Sequence, residues 1–363
     1  MSRLRVVVAP DSFKGSVSAV EVARALAQGW SAERPGDEIV LAPMADGGEG
    51  TVDAIALAVP EARRHSALVT GPDDRTVSAD WLLLPDGAAV VELASASGIS
   101  LLDPLRPLTA HTRGFGRAIA AALDAGAQSL LLAIGGSAST DGGVGALREL
   151  GARFTTLSGH DIGDGGGALH GLASVDRRGL RALPAGGAVV LSDVTAPLLG
   201  DSGAAHIFAP QKGAGPEDVL RLDGGLRHLA AHLDADPDAP GAGAAGGTGF
   251  GLLAWGARLS SGADAVGRAI GLPGLVAGAD VVITGEGHFD TQTAAGKVPS
   301  YARGLAEAAG ARALLVAGAI TAPTSGFSKA ASLTEVAGSA SAALADPLPH
   351  LRAVAQEWAA RLL

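Results

Sequence analysis

One pattern recurs along the chain: a short run of β-branched residues, then a turn that combines an acid with glycine, then apolar residues at helical spacing. The runs "RVVVAPDSF" and "EIVLAPMADGGEG" show it near the start of the sequence, and a helix-like segment follows each of them. Strands that alternate with helices form parallel sheets, because each helix returns the chain to the same end of the sheet. The pattern therefore predicts an α/β fold.

The middle of the chain departs from this pattern. The stretch "HSALVTGPDDRTVSADWLLLPDGAAVVELASA" contains three β-like runs joined by short polar turns, which is typical of an antiparallel meander. The Gly, Ala and Pro-rich segment "DADPDAPGAGAAGGTG" is interpreted as a linker, and "ADVVITGEGHFD" restores the alternation beyond it. We therefore expect two α/β domains. Residues 1–63 and 265–363 form a Rossmann-like, doubly wound parallel sheet, and residues 64–264 form an inserted domain with a mixed sheet.

Charge and composition exclude several classes of partner. The formal net charge of −10 offers no basic face for nucleic acid and no basic patch for an anionic membrane. The chain has no cysteine, which excludes disulfides and a thiolate nucleophile. The apolar run before Pro10 is too short for a signal peptide, and we find no apolar stretch of about 18 residues that could span a bilayer. We therefore expect a cytoplasmic protein that acts on small molecules.

Acidic residues follow five of the predicted strands. They are Asp11, Asp46 with Glu49, Asp141, Asp193 with Asp201, and Glu286 with Asp290. In doubly wound sheets, ligands bind outside the carboxyl ends of the strands, so these side chains should converge. Helix capping explains any one of them, but carboxylates beside helix-start amides would repel a phosphate unless a divalent cation lay between. The recurrence therefore favours a Mg-nucleotide site and phosphoryl transfer.

Lysine is rare in this chain. Only four of the 27 basic residues are lysines, and Lys14, Lys212 and Lys297 each adjoin a glycine. A lysine offers a compact ammonium where arginine offers a planar fork, so these three are candidates for contacts with phosphate groups.

Two common nucleotide motifs are not supported. Gly241, Gly243 and Gly246 match G-x-G-x-x-G, but they follow "DPDAP" where the dinucleotide fingerprint requires a strand. A phosphate-binding loop of the G-x-x-x-x-G-K-[ST] type is excluded at Lys297, because Thr291 stands in place of the first glycine and Val298 follows the lysine.

Several long strings together identify a family. "APDSFKGS", "PMADGGEGT", "GGSASTDGG", "SDVTAPLLGDSGAAHIFAPQKGA", "PGAGAAGG" and "ITGEGHFDTQTAAGK" resemble, in this order and over nearly the whole chain, the bacterial glycerate kinases of type I. The resemblance implies phosphorylation of D-glycerate by ATP with Mg²⁺, in most such enzymes at the 2-hydroxyl, which gives 2-phosphoglycerate and ADP. It also implies an active cleft between two α/β domains, one of them Rossmann-like.

The resemblance also implies the site residues, string by string. They are Asp11, Ser12, Lys14, Asp46, Gly47, Gly48, Glu49, Asp141, Asp193, Lys212, Glu286, Asp290 and Lys297. Ser137 in "GGSASTDGG" and His288 in "GEGHFD" are further candidates for binding, because they lie inside the same strings. On this basis we expect Lys14 and Lys212 to contact the phosphates, Asp46 and Asp290 to bind the metal, and Asp193 to face the glycerate hydroxyl. We take Lys14, Asp46, Asp193 and Lys212 as the catalytic set.

Three departures from the family pattern leave the acceptor open. Ser139 and Thr140 replace Thr-Asn, Ala196 replaces Asn, and His288 replaces Arg in strings that the family commonly conserves. These changes remove hydrogen-bond donors that could hold a carboxylate or a phosphate. A kinase that forms the 3-phosphate, or one for a related small hydroxy acid, is therefore an alternative. A nicotinamide-dependent dehydrogenase and a non-catalytic ligand sensor are alternatives from other classes, and a homodimer is an oligomeric state to consider.

Overall fold

The computed structural model describes residues 3–13, 15–291 and 297–361, and the chain divides into two compact units. The first unit comprises Met1–Asp46, Asp53–Pro60 and Ser261–Leu363, and the second comprises Gly47–Val52 and Glu61–Ser260. The domain limits predicted from the sequence, 63/64 and 264/265, stay a prediction. The observed units differ from them mainly at Gly47–Val52, which groups with the second unit.

The first unit is built on a five-stranded parallel sheet. With strands numbered in chain order, it contains β1 (Arg5–Val8), β2 (Glu38–Leu41), β11 (Val281–Phe289), β12 (Arg312–Ile320) and β13 (Lys329–Ser332). Their order across the sheet is β13-β12-β11-β1-β2, and every neighbouring pair is parallel. The chain runs outward from β1 to β2 and later returns to β1's other side with β11. This reversal is the switch point of a doubly wound sheet and confirms the predicted Rossmann-like architecture.

Helices complete the first unit. They are α1 (Ala19–Glu33), α2 (Thr51–Ala58, whose first two residues group with the second unit), α9 (Gly262–Ala269), α10 (Leu272–Val276), α11 (Val298–Ala309), α12 (Leu333–Val336), α13 (Ala340–Ala345) and α14 (Pro347–Arg361). Helix α1 begins at a capping box, in which Ser18 and Glu21 satisfy each other's backbone amides. Its buried face packs with α14 against β1, β11 and β12 through Leu26, Trp30 and Leu351.

The second unit contains a six-stranded mixed sheet. Its strands are β3 (Arg63–Thr70), β4 (Thr76–Leu83), β5 (Ala88–Glu92), β6 (Ser129–Ala133), β9 (Ala188–Leu191) and β10 (Arg258–Ser260), and a separate antiparallel pair is formed by β7 (Arg153–Thr155) and β8 (Ser174–Asp176). The order is β10-β9-β6-β5-β4-β3. Strands β3 to β5 are antiparallel, as the meander predicted, and β5, β6, β9 and β10 are parallel.

The helices of the second unit include the segment that composition assigned to a linker. They are α3 (Leu93–Ser97), α4 (Arg113–Asp124), α5 (Val144–Glu149), α6 (Ala204–Phe208), α7 (Pro216–Ala230) and α8 (Ala244–Trp255). The linker interpretation was wrong for the second half of that segment. Residues 241–250 are largely buried, and those from Ala244 onward belong to α8. Small residues are required there by close packing: a Cβ at Gly243 would lie 2.1 Å from the carbonyl oxygen of Pro197.

Among the residues that the structure describes, no helix combines the length and the apolar character needed to cross a bilayer.

The packing of α1 on α14 is tested by one methyl group. A Cβ at Gly29 would lie 2.1 Å from the carbonyl oxygen of Arg352, so Gly29→Ala should force the two helices apart. We expect a loss of about 1–3 kcal/mol, the usual cost of overpacking, measured as a lower urea midpoint. The control is Gly304→Ala on α11, where a Cβ would meet nothing within 4 Å. This change should be neutral or stabilise by roughly 0.5–1 kcal/mol. Equal midpoints for the two variants would contradict the packing.

Candidate active site

Backbone hydrogen bonds fix the carboxyl ends of β1, β2 and β11 beside one another. The amide of Asp11 donates to the carbonyl of Gly285 at 2.8 Å, and the amide of Met44 donates to the carbonyl of Pro10 at 2.8 Å. The buried hydroxyl of Thr284 adds a 2.9 Å bond to the carbonyl of Ala9. The loops that follow these three strands are therefore held at one edge of the sheet, where ligands of doubly wound folds bind.

A cavity of about 330 Å³ opens at this edge, within the first unit. Seven residues predicted from the sequence line it: Asp11, Ser12, Asp46, Glu286, His288, Asp290 and Lys297. Four of these are carboxylates that come from the ends of three different strands. The structure therefore brings together the acids that the strand-end pattern predicted to converge, although the chain separates the first from the last by most of its length.

Two close contacts set the position of these acids. Gly262, the first residue of α9, lies so near the backbone of Asp46 that a Cβ there would be 2.0 Å from the Asp46 carbonyl oxygen. The amide of Ser12 donates to Oδ1 of Asp11 at 2.6 Å, which orients that carboxylate. Asp11 and Glu286 are buried, with 7% and 6% of their surfaces exposed.

The basic residues of the cavity are Lys297 and His288. Lys297 is the N-cap residue of α11, with extended backbone angles, so it enters the cavity just before the helix begins. His288 is exposed on β11, and its Nε2 lies 3.0 Å from the hydroxyl of Thr321. Lys14, the other lysine predicted at this site, lies outside the described residues.

The donor set of this cavity suits a hard divalent cation. Mg²⁺ is usually bound by one or two carboxylates, with waters and substrate phosphates completing its shell. Among the described residues, the only His, Asp and Glu group with three ligand atoms within 4.8 Å of one another is Asp74, His111 and Asp164, in the second unit. That group is neutralised by arginine, since Arg113 and Arg148 lie 3.3 Å and 2.7 Å from Asp164. No three of the described carboxylates of the cavity have ligand atoms within 4.8 Å of one another, so a metal held by one or two of them would need phosphate oxygens and waters to complete its shell.

The second unit contains a buried lysine. Lys212 is 3% exposed, and its Nζ donates to Oγ of Ser137 at 2.8 Å and to the carbonyl of Ser139 at 2.5 Å. Burial lowers the pKa of Lys212 to about 7, and the nearby carboxylate of Asp141 offsets part of that effect. Such an amine can exchange its proton near neutral pH, and an anionic ligand would favour its charged form.

Asp141 has its oxygens occupied by the protein itself. Oδ2 accepts from the amide and hydroxyl of Thr112 and from the amide of Gly145, and Oδ1 accepts from the hydroxyl of Ser139 and the amide of Gly143. These distances run from 2.8 to 3.2 Å. Asp141 therefore shapes the loop between β6 and α5, and it acts on Lys212 as a nearby charge.

The remaining predicted residues lie at strand ends of the second unit. Gly47 has φ of 90° and packs so tightly that a Cβ would lie 2.6 Å from the carbonyl oxygen of Leu191. Its own carbonyl accepts from the amide of Gly135 at 2.9 Å, and Gly48 lies against the same loop. Glu49 and Asp193 are exposed. The glycines of this string therefore serve close backbone packing.

Several residues at these sites were not predicted from the sequence. Thr140 is completely buried, and its Oγ1 has no hydrogen-bond partner among the described residues. The position of Thr140 inside the "STDGG" string is the sequence feature from which a site residue could have been predicted. Thr334, Ala340 and Leu344 line the cavity of the first unit, and they come from helices α12 and α13, which carry no acid or glycine motif.

Comparisons with known proteins agree along the whole chain. Residues 6–363 match the sequence profile of the glycerate kinase family. The chain is 43% identical over 329 residues to the glycerate 2-kinase of Escherichia coli K12, covering 88% of this chain and 86% of the relative. It is 44% identical over 316 residues to the glycerate kinase of Bacillus subtilis 168, covering 84% and 82%. A crystal structure assigned to glycerate kinase 2 of Salmonella typhimurium LT2 superposes with a TM-score of 0.86 at 40% identity and covers 99% of this chain and 98% of its own.

The lowered pKa of Lys212 makes a prediction about stability. From pH 7 to about 10.5 the folded chain holds this amine neutral while the unfolded chain protonates it, so the unfolded state binds the extra proton. Stability should therefore rise with pH across this window, by about 1.4 kcal/mol per unit, and the cost of burial is fully present below pH 7. The difference in thermal midpoint between wild type and Lys212→Met should change by roughly 2 °C per pH unit between pH 7 and 9.

The matched control is Lys329→Met, since the Nζ of Lys329 makes an exposed 3.4 Å bond to the carbonyl of Arg361. Its thermal midpoint should run parallel to that of the wild type at every pH. If Lys212→Met also runs parallel, the buried amine keeps its proton through pH 9 and the lowered pKa is wrong.

Proposed function

The chain belongs to the glycerate kinase family, and on that premise we propose that it transfers the γ-phosphoryl group of ATP to the 2-hydroxyl of D-glycerate. The bond between the γ-phosphorus and its bridging oxygen breaks and leaves ADP. A new bond forms to the glycerate oxygen, whose proton passes to a base, and the products are 2-phosphoglycerate and ADP. The enzyme is therefore a kinase, with a small organic acid as its acceptor.

The observation that carries this proposal is the cavity at the switch point of the first unit. Its carboxylates come from the ends of β1, β2 and β11, where doubly wound sheets bind nucleotides. We assign Asp46 and Asp290 to Mg²⁺, and Asp11, Ser12, Glu286 and His288 to the surroundings of the nucleotide. These two carboxylates would hold Mg²⁺, which would supply positive charge against the negative charge that develops during transfer.

Lysines supply the remaining positive charge in this proposal. Lys297 lines the same cavity as the four carboxylates. Lys14 and Lys212 are assigned to the phosphates. Burial alone lowers the pKa of Lys212, so an approaching phosphoryl group would restore the proton and bind an ammonium already held by Ser137. Asp193 is assigned to the proton of the glycerate hydroxyl.

The other functional hypotheses have less support from the structure. A dinucleotide-dependent dehydrogenase would need a glycine turn that is open to the cofactor. A Cβ at Gly246 would lie 2.1 Å from the carbonyl oxygen of Ser139, so the protein's own backbone occupies the space beside this motif.

Formation of the 3-phosphate, or use of another hydroxy acid, is the alternative because Ala196 and His288 depart from the family pattern. A cytoplasmic location and a homodimer, to be tested by size-exclusion chromatography, also belong to this proposal.

The hydroxyl that accepts the phosphate is distinguished by a coupled assay. The protein is mixed with ATP, Mg²⁺ and D-glycerate, and ADP is measured with and without enolase, which converts 2-phosphoglycerate to phosphoenolpyruvate. With enolase present, we expect phosphoenolpyruvate to appear together with ADP and in a constant proportion to it, because enolase brings 2-phosphoglycerate and phosphoenolpyruvate to equilibrium. ADP without phosphoenolpyruvate would show that the 3-hydroxyl is used. Release of ADP no faster than in the blank without glycerate would overturn the proposed function and call for a panel of other hydroxy acids.

The metal assignment is tested by Asp46→Asn. This change keeps the shape of the side chain but removes its charge, so kcat should fall by roughly 10²-fold or more. The Mg²⁺ concentration for half-maximal activity should rise. The matched control is Asp264→Asn, which removes a partly exposed i,i+4 ion pair with Arg268 in the same unit and should leave both values unchanged. Full activity of Asp46→Asn at low Mg²⁺ would remove Asp46 from the site.

A further inference from the structure

The cavity of the first unit has a second, apolar wall that the phosphate chemistry does not use. Phe13, Ala319, Ala340, Ala343 and Leu344 form it, and three of these belong to α13. The volume of about 330 Å³ falls within the range of pockets for small organic ligands, about 300–1,000 Å³. A metal ion with its phosphates would occupy the acidic wall and leave this apolar wall uncovered.

Leu344 shows that the apolar wall is incompletely packed. Its side chain lines the cavity but is 61% exposed, although Ala343 beside it belongs to the core of the first unit. Burial of apolar surface stabilises a protein by roughly 25 cal/mol per Å² removed from water. The exposed part of Leu344 does not contribute this free energy. A ligand with an apolar face would recover that free energy by covering the side chain.

The wall is held in place by hydrogen bonds from several segments. Ser339 caps α13 by accepting from the amide of Ala342 at 3.2 Å, and the hydroxyl of Ser16 donates to the carbonyl of Leu344 at 2.8 Å. The hydroxyl of Thr334 donates to the carbonyl of Gly318 at 2.8 Å, which ties α12 to the end of β12. The apolar wall is thus a preformed surface, as ligand pockets usually are.

The side chains of this wall are small where a flat ligand would lie. Gly318 and Ala319 line it near the end of β12, and Ala340 lines it from α13. A Cβ at Gly318 would lie 2.4 Å from the carbonyl oxygen of Gly287, so the wall admits no side chain at that position. Such a slot suits a planar ring, with Leu344 and Ala343 against its face.

We propose that this apolar wall binds the nucleoside of ATP, the base lying against Leu344, Ala340 and Ala343, so that the phosphates reach the carboxylates at the strand ends. This inference rests on the proposed function for the identity of the nucleotide. Glycerate is a poor occupant of the apolar wall, because it has no apolar face that could cover Leu344 and the alanines beside it. The proposal extends the candidate nucleotide residues to α13, which sequence motifs did not indicate.

The test compares two alanines on one helix. Ala340 and Ala342 are both exposed on α13, but only Ala340 lines the cavity. Ala340→Leu should fill the slot and raise both the KM for ATP and the Kd for adenosine, measured by calorimetry, by roughly tenfold or more, a change of about 1.4 kcal/mol. The KM for glycerate should stay unchanged. Ala342→Leu adds the same side chain outside the cavity and should leave all three values as in the wild type.

A second variant, Leu344→Gln, removes the apolar contact without adding bulk and should weaken adenosine binding in the same direction. Thermal midpoints equal to that of the wild type show that the variants fold. If Ala340→Leu raises the Kd for adenosine but the wild type phosphorylates no glycerate, the nucleoside site stands and the proposed function fails. If the wild type phosphorylates glycerate and Ala340→Leu leaves adenosine binding within twofold of its value, or raises the KM for glycerate instead, the nucleoside site is overturned.

Discussion

The hydrogen bonds that join β1 to β2 on one side and to β11 on the other determine the chemistry of the first unit. Through them the amides of Ala9 and Asp11 reach the carbonyls of Ile283 and Gly285 at 2.7 and 2.8 Å. The carboxylates that follow these strands would repel one another in a flexible chain. The parallel ladder fixes them around one cavity before any ligand is present, so the fold supplies the free energy that gathers the charges. In the proposed function, this arrangement presents the carboxylates to a cation without a further conformational change.

The two acidic clusters differ in how far basic residues neutralise them. Around Asp164, two arginines neutralise the charge, and the result is an ion-pair network that leaves little affinity for a metal. Around Asp46 and Asp290, the cavity offers Lys297 and an exposed His288 beside four carboxylates, so negative charge dominates. A cluster of acids therefore indicates a cation site only when the surrounding basic residues are counted as well. This distinction separates the cavity of the first unit from the cluster in the second.

Much of the fold followed from local patterns, and much of the site did not. Period and turn composition predicted the parallel sheet, the meander and the convergence of acids such as Asp11 and Glu286, because strand ends are local features whose meeting place is set by topology. The sequence could not show that the protein itself would occupy both oxygens of Asp141, because two of the five donors belong to Thr112, which is distant in the chain. The contribution of α13 was also hidden, because Leu344 reaches Ser16 only through tertiary packing.

The segment misread as a linker explains why Lys212 is a lysine. Gly246 has φ of 66°, and a Cβ there would lie 3.0 Å from the Nζ of Lys212 and 2.1 Å from the carbonyl oxygen of Ser139. The space beside this glycine fits a compact ammonium, whereas a guanidinium with its wider fork would collide with the same backbone. A chain that otherwise prefers arginine therefore keeps lysine at this position. A segment rich in Gly and Ala is usually predicted to be flexible, because its side chains are too small to form a core. The same small side chains also let two backbone segments pack very closely. Whether such a segment is a flexible linker or a closely packed one depends on the residues that it contacts. Here these are Ser139 and Thr140, which lie about a hundred residues earlier in the chain.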